Sequence, residues 1–440
     1  LNRLPEYCDV LVVGGGPAGS SCATLLAQQG IDVVLLEKVK HPREQVGESL
    51  IPHFWKYTDR LRVSKKIEQE GFIRKAGGIT VWDGVIHQIS FADFGFKRPA
   101  LHVERAAFDN ILLRHSEVTG AQIFERISVK RIDFSVPEKP LAHYLDRRQN
   151  ERREGSIACQ YIVDATGHTT LLASQMNHRK LVSSKLKFLS LWGYFENTRY
   201  FGADGKSHAS NDLGTVNPVT LVLSYQDGWI WHIILREKTS VGLIIHTERT
   251  KGMGKKERQQ FFLATCRSVP YLKGLLSSAQ FIQDSLQFRP DYSYYSTAPC
   301  GDNYYCIGDA ATFVDPIYSH GVINAFYNAA AAAEAIKASL ANSSRRTRYS
   351  QLCNSRLQQF YSFSRALALG DIGGEGVNLT LVNNLMRTVP SVELELMLAA
   401  ASISNRSDNF RKLVREAGIS NHVDEKAVFG KTKNLPSLSV

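Results

Sequence analysis

The sequence holds little of what would mark a disulfide-bonded, metal-binding or membrane-spanning protein. Its seven cysteines (Cys8, Cys22, Cys159, Cys266, Cys300, Cys306, Cys353) are scattered and form no C-x-x-C pair. That excludes a disulfide framework or zinc ribbon and leaves reduced thiols. None of the thirteen histidines has another histidine four residues away, so no helical metal-ligand pair is expected and no metal is assigned. A G-x-S-x-G segment is absent, which removes the usual anchor for serine-nucleophile chemistry. No apolar run approaches the roughly 20 residues of a membrane span. The first ten residues, with Arg3, Pro5, Glu6 and Asp9, lack the apolar stretch of a secretory signal, so a cytoplasmic location is expected.

The chain is 440 residues long, 43% hydrophobic and 22% charged, with a formal net charge of +11. Such a chain buries a large core. The basic excess steers acidic partners towards it. No helix-turn-helix, zinc-finger or aromatic RNA-binding signature accompanies it, so nucleic acid is not expected. The basic runs Arg60 to Lys66, Lys251 to Arg258 and Arg345 to Arg348 read as solvated helix faces. A phosphate-rich cofactor or an acidic carrier protein fits the charge better.

Cys8 to Val13 reads as a buried strand that runs directly into Gly14, Gly15, Gly16, Pro17, Ala18 and Gly19. A helix over Ser20 to Gln29 follows, and a second strand, Asp32 to Leu36, ends at Glu37 and Lys38. In this setting each glycine has a task. Gly14 permits the tight turn, Gly16 lets backbone approach a pyrophosphate, and Gly19 lets helix lie on strand, while the helix start offers N–H groups to phosphate. Glu37 is placed to accept hydrogen bonds from ribose hydroxyls, which disfavours a 2′-phosphate. Two further strand-to-turn elements lie far along the chain: Tyr161 to Val163 leads into Asp164, Ala165, Thr166 and Gly167, and Tyr304 to Ile307 into Gly308, Asp309, Ala310 and Ala311. All three must meet on one sheet edge to hold a single dinucleotide.

GGGPAGS with Glu37, the RAAFDNIL stretch from Arg105 to Leu112, DATG and GDAA together resemble the FAD-dependent aromatic monooxygenases, over nearly residues 7 to 340. Four more segments are similar to those of the flavin-dependent halogenases within that superfamily. They are GESLIP (Gly47 to Pro52, with Glu48 and Ser49), the GFIRKAG segment carrying Lys75, GWIWHII with Trp229 and Trp231, and DPIYSHG from Asp315 to Gly321, with Pro316, Ser319 and His320 leading to Val322. The sequence departs from that pattern in having Ile234 where the tryptophan signature has proline, and His320 where a small residue is usual.

The resemblance implies an α/β fold with a Rossmann-like FAD-binding domain (1–75, 98–180 and 290–340), a mainly β substrate-side domain (76–97 and 181–289) and a helical C-terminal region (341–440). It implies that Arg105 and Asp309 lie by the cofactor, and that His320 and Gly321 bind chloride or bromide. Reduced FAD and O2 would oxidise halide to hypohalous acid, which Lys75 would pass to an electron-rich aromatic ring, on a free substrate or on one carried by an acidic protein. Trp229 and Trp231 alternate along a strand, so both indoles face one way and can wall the flavin off from the substrate. A single complete G-x-G-x-x-G means that a partner flavin reductase supplies FADH2, or that NAD(P)H docks directly. The alternative is an aromatic hydroxylase of the same superfamily, acting on a free aromatic or on one within a protein or peptide, with His320 and Tyr318 shaping its pocket. A non-catalytic FAD-binding redox sensor is a third reading.

Elsewhere, Asp83 to Phe96 and Asn217 to His246 alternate as strands do, Val136 to Gly155 reads as a hairpin turn or a mobile loop, and Tyr349 to Leu369 and Val392 to Ala401 read as helices around a loop at Gly370 to Val377.

Overall fold

A computed structural model describes residues 3–149, 152–182, 187–290 and 293–369, and, beyond those, 380, 384, 387, 389, 394–397, 399, 428 and 430–440. The expected loop at Gly370 to Val377 lies outside the described residues, as does much of the helix expected over Val392 to Ala401.

Two large sheets organise the molecule. In the first, five strands run parallel in the order Gln122–Glu125, Val33–Glu37, Tyr7–Val13, Arg153–Asp164 and Tyr304–Cys306. Their near-continuous runs of Val, Ile and Leu are what a sheet buried on both faces requires. Helices Pro17–Ala27, Arg105–Val118 and Gly321–Ala341 pack together beside it. The registers Val13↔Asp164 and Asp164↔Cys306 align the strand ends. Hydrogen bonds from Gly14 N to Leu36 O (2.8 Å), Ala165 N to Val13 O (2.9 Å) and Ile307 N to Asp164 O (2.9 Å) then tie the three turns into one edge. The expected convergence is therefore met. Strand Leu141–Asp146 pairs antiparallel with the start of Arg153–Asp164, which makes a hairpin, one of the two forms expected there.

The second sheet has nine strands, almost all antiparallel, with Phe188–Glu196, Thr239–His246, Gly228–Ile234, Val219–Tyr225, Gly77–Trp82 and Val85–Ser90 in its middle. One face carries Leu191, Leu221, Ile230 and Leu243 and is covered by helix Lys255–Ser268 through Phe262 and Cys266. The other presents Trp192, Tyr194, Trp229, Trp231 and Ile233 towards Val46, Phe313 and Ile317 of the dinucleotide side. The alternation expected for Trp229 and Trp231 holds, and Ile230 lies on the opposite face.

Helix Arg346–Leu369 packs on Gly321–Ala341. The C-terminal region also contains an element that the sequence reading did not anticipate. Thr432–Leu435 is a strand that pairs antiparallel with Val85–Ser90. Its composition, TKNL, carries one strongly apolar residue, so alternation gives no signal there.

Candidate active site

The glycine turn is tight enough to be sterically defined. Gly14 has φ +111°, and a Cβ there would stand 2.3 Å from Ala165 O; one on Gly19 would stand 1.9 Å from Gly14 O. Gly308, at φ +59°, sits against Ala18, where a Cβ would meet that side chain at 2.9 Å. Both carboxylate oxygens of Glu37 accept backbone hydrogen bonds, from Gly15 N (2.6 Å) and Val39 N (3.0 Å). That fixes Glu37 at the sheet edge while leaving lone pairs for a ribose. Lys38 is exposed and donates to Thr169 Oγ1 at 3.3 Å.

Asp164 organises its own turn, accepting from Thr166 N, Thr166 Oγ1 and Leu172 N at 2.7–3.0 Å, with Gly167 at φ +64° beside it. Asp309 is half-buried between the fields of Arg289 and Arg105, and its pKa is pushed up to about 6 by desolvation. Its Oδ2 lies 3.3 Å from His168 Nε2. Burial, with Arg289 and Arg179 adding to it, holds His168 down at about 3, so this contact joins a neutral imidazole to the carboxyl.

Arg105 is wholly committed within the protein. It donates to both oxygens of Asp109 (2.8 and 3.1 Å) and to Val46 O and Gly47 O (2.8 and 3.3 Å). It thereby clamps the loop that carries Glu48 and Ser49. Arg43, which sequence reasoning missed, pairs with Asp109 Oδ2 at 3.1 Å, the oxygen it shares with Arg105. Its Nη2 hangs 3.4 Å from where a Cβ on Gly16 would be. The helix that starts at Pro17 has no side-chain cap. Uncapped N–H groups beneath a guanidinium suit the pyrophosphate of a dinucleotide, and the residues present therefore fit FAD.

Glu48 and Ser49 are neighbours on an extended stretch and reach opposite ways. Glu48 accepts from Tyr194 Oη (2.8 Å) and Ser240 Oγ (3.3 Å), and Ser240 Oγ accepts from Trp231 Nε1 (3.1 Å). Its carboxyl is thus tied to the tryptophan face, where burial raises its pKa. Trp229 and Trp231 lie with ring centroids 5.9 Å apart. Gly242, opposite Trp231 in the register, makes room for the indole, since a Cβ there would stand 2.0 Å from the ring. The indole N–H of Trp229 is buried without a partner among the described residues.

Ser49 reaches instead towards Lys75 and Ser319, which with Ile79, Phe91, Thr220 and His320 help to line a cavity of about 90 Å³, with Leu396 and Met397 of the C-terminal region also on its wall. Lys75 Nζ donates to Ser49 Oγ at 2.7 Å and lies 5.3 Å from the Phe91 ring centroid. Desolvation alone brings this ammonium from 10.5 down to about 7, so the free amine is well populated near neutral pH. Ser319, at φ +58°, donates to the same Ser49 oxygen at 3.0 Å, and its N–H bonds to Pro316 O. His320 precedes Gly321 and Val322 at the start of helix Gly321–Ala341, with its Nε2 buried and without a partner among the described residues. Burial lowers its pKa to about 4. The imidazole is neutral at pH 7, so at that pH it does not supply the positive charge that would favour a halide.

The sequence profile described as "FAD binding domain" matches residues 7–193. The chain is 34% identical to the flavin-dependent halogenase armH5 of Armillaria mellea over 356 residues, 77% of this chain and 66% of that protein. It is 32% identical to the tryptophan 2-halogenase of Chondromyces crocatus, over 77% of this chain and 63% of that one. The solved myxobacterial chondrochloren halogenase CndH superposes with a TM-score of 0.76 at 27% identity, covering 94% of this chain and 97% of its own. The chain belongs to the flavin-dependent halogenase family. It spans just under two thirds of the length of the two halogenases named first.

Within this halogenase fold the sequence-named residues fall into two groups. Gly14, Gly16, Ala18, Gly19, Glu37, Asp164, Gly308 and Asp309 gather at the sheet edge. Lys75, Ser49, Ser319 and His320 gather at the cavity. Sequence reasoning missed Arg43, Tyr194, Ser240, Arg289, His102 and Thr220. A lone polar residue in a strand carries no periodic signal, and only the glycine opposite Trp231 hinted at its neighbour's bulk.

Among the described residues no group of three or more His, Cys, Asp or Glu could hold a metal, and no helix is long and apolar enough to cross a membrane.

Proposed function

We propose that this chain is a halogenase that places an electrophilic chlorine or bromine on an electron-rich aromatic ring through Lys75. The observation that carries the reading is the state of that lysine: buried, with one hydrogen bond among the described residues, in a cavity that Ser319 and His320 also line. Bound FAD, reduced by a partner flavin reductase and supplied with O2, provides the oxidising power that turns halide into hypohalous acid.

The residues do the rest. Backbone N–H groups at His320 and Gly321, at the start of a 21-residue helix, offer an anion site that does not need a charged imidazole. The tryptophan face, held by Ser240, Glu48 and Tyr194, separates the dinucleotide side from the sheet interior and keeps the organic substrate from the flavin. Lys75, as the amine, takes the halogen: R–NH2 and HOX give R–NHX and water, and an aromatic C–H then takes X from nitrogen and returns its proton to the amine. The apolar walls from Ile79, Ile89, Phe91 and Val222 suit a planar ring, and the charge of +11 favours an acidic carrier of that ring.

Enzyme, FAD, a flavin reductase, NADH and chloride or bromide are incubated with a phenolic probe, and the product mass is read. A halogenated product that disappears with Lys75→Ala is expected. Addition of oxygen alone, or halogenation that survives that substitution, refutes the reading.

A further inference from the structure

Lys75 can keep a halogen only if its nitrogen sheds a proton, and among the described residues that nitrogen has a single hydrogen bond, to Ser49 Oγ. From Ser49 a chain of hydrogen bonds leads to a buried histidine. Ser49 Oγ lies 3.1 Å from Thr220 Oγ1, which lies 2.9 Å from His102 Nε2, and His102 Nδ1 lies 3.0 Å from Ile234 O.

The direction of every proton in the chain follows from its far end. A backbone carbonyl can only accept, so His102 carries its hydrogen on Nδ1, and in the neutral ring Nε2 presents a lone pair. Thr220 therefore donates to His102, and its oxygen receives the Ser49 hydrogen. Ser49 in turn accepts from Lys75 and from Ser319. All the hydroxyls point away from Lys75 and towards the imidazole.

Five separate stretches of chain build this line. Strands Ile73–Lys75 and Ala100–His102 pair antiparallel, with Lys75 opposite Ala100 and Ile73 opposite His102. Lys75 and His102 thus share one face of the ladder, two positions apart. Ser49 bridges to His102 across the loop, Thr220 enters from Val219–Tyr225 beside Gly78, and Ser319 comes from the loop before the long helix. The titratable groups that act on His102 are Lys75 and His232.

We propose that His102 is the proton acceptor for Lys75, reached through Ser49 and Thr220. The proposal rests on the reading of Lys75 as the halogen carrier. As nitrogen attacks HOX, the N–X bond forms, the X–O bond breaks and hydroxide leaves. The halogen makes the remaining N–H bonds far more acidic than those of an ammonium, so a weak base suffices. One proton passes from nitrogen to Ser49 while Ser49 passes its own to Thr220 and Thr220 passes its own to His102 Nε2. Return of that proton to hydroxide leaves R–NHX and water. Burial keeps His102 well below 6.5, so the ring is unprotonated and ready at neutral pH, and releases the proton once transfer is over.

Two substitutions cut the line differently. His102→Gln can still accept from Thr220 but cannot be protonated, and Thr220→Val removes the middle hydroxyl with almost no change in shape, while Thr220→Ser restores it. The readout is halogenated product relative to hypohalous acid captured by a 1,3-diketone trap, across pH 5.5 to 9. That ratio should fall at least about tenfold in His102→Gln and Thr220→Val and recover in Thr220→Ser. Wild-type ratios in both cut variants overturn the proposal. Rescue by Gln shows that His102 only holds Thr220 in place, and also overturns it.

A second measurement needs no turnover. In the intact chain labelled with 15N-histidine, the His102 signal, assigned by its loss in His102→Gln or its shift in Thr220→Val, should report the neutral Nδ1–H form at pH 7. An Nε2–H form or an imidazolium reverses the chain and ends the proposal. Should the wild-type chain halogenate nothing, the proposed function falls while this spectrum still decides whether the line points at His102.

Discussion

The two halves of the site are built on opposite principles. At the sheet edge, each binding element is a contiguous run of sequence that ends a strand, and the polar groups there are held mostly by backbone: Glu37 by two N–H groups, Asp164 by its own turn. At the cavity no two of Ser49, Lys75, His102, Thr220 and Ser319 are neighbours in sequence. Ser49 and Thr220 are 171 residues apart and meet through hydroxyls alone. A cradle for a large, common ligand can be encoded locally because backbone N–H groups do the binding. A chemical site cannot, because it needs particular side chains at particular distances inside a dry interior.

The sharpest test of that contrast replaces the buried amine. Lys75→Met should lower halogenation by about a thousandfold or more and yet make the protein more stable at pH 7. The native pKa of about 7 lies below the unfolded value of 10.5. Below pH 7 the folded state therefore carries the full cost of a buried charge. Between about pH 7 and 10.5 the unfolded chain binds the extra proton, so wild-type stability rises with pH in that window. A drop from 10.5 to about 7 corresponds to roughly 5 kcal/mol, an upper figure for the gap between wild type and Lys75→Met at pH 7. Denaturant midpoints of both proteins at pH 6, 8 and 10 should converge as pH rises.

A glycine in the cradle should behave in the reverse way. Gly19→Ala forces a methyl group to 1.9 Å from Gly14 O, and FAD affinity, read by flavin fluorescence, should fall roughly a hundredfold, or about 2.7 kcal/mol. The tryptophan face offers an intermediate case. Gly242→Ala sets a methyl against the Trp231 ring and should cost about 1–3 kcal/mol of stability, with more oxygen added to the probe relative to halogen as the wall shifts. Arg43→Ala should have the smallest effect, an approximately tenfold loss of FAD affinity that shrinks at high salt as the screened phosphate contact fades.

The same contrast explains what could be read in advance. The strands ending at Val13, Glu37, Asp164 and Ile307 were legible because hydrophobic runs meeting glycine and acid are local patterns, and their shared edge followed from the need to hold one dinucleotide. The alternation of Trp229 and Trp231 was legible for the same reason. Glu48, expected at the cofactor, has its carboxyl bound to Tyr194 and Ser240. Nothing local to Glu48 reveals partners 146 and 192 residues away. Arg105, expected beside the flavin, lies within the field of Asp309, and its guanidinium also grips Asp109 on the next helical turn and the loop at Val46 and Gly47, partners that its own stretch of sequence does not announce. His102 offered no signal, because a lone histidine in a three-residue strand looks like any other buried polar residue.

The short strand Thr432–Leu435 has a consequence for how the molecule is made. Its partner, Val85–Ser90, leaves the ribosome more than three hundred residues earlier, as one of the first strands of the nine-stranded sheet. Until Thr432–Leu435 emerges, that outer strand presents a row of unpaired N–H and C=O groups. Synthesis at about 5–20 residues per second leaves it exposed for tens of seconds. The nascent chain therefore passes through a long interval in which this edge can pair with the wrong partner, and chaperone cover during that interval, rather than the final stability of the sheet, should govern its yield.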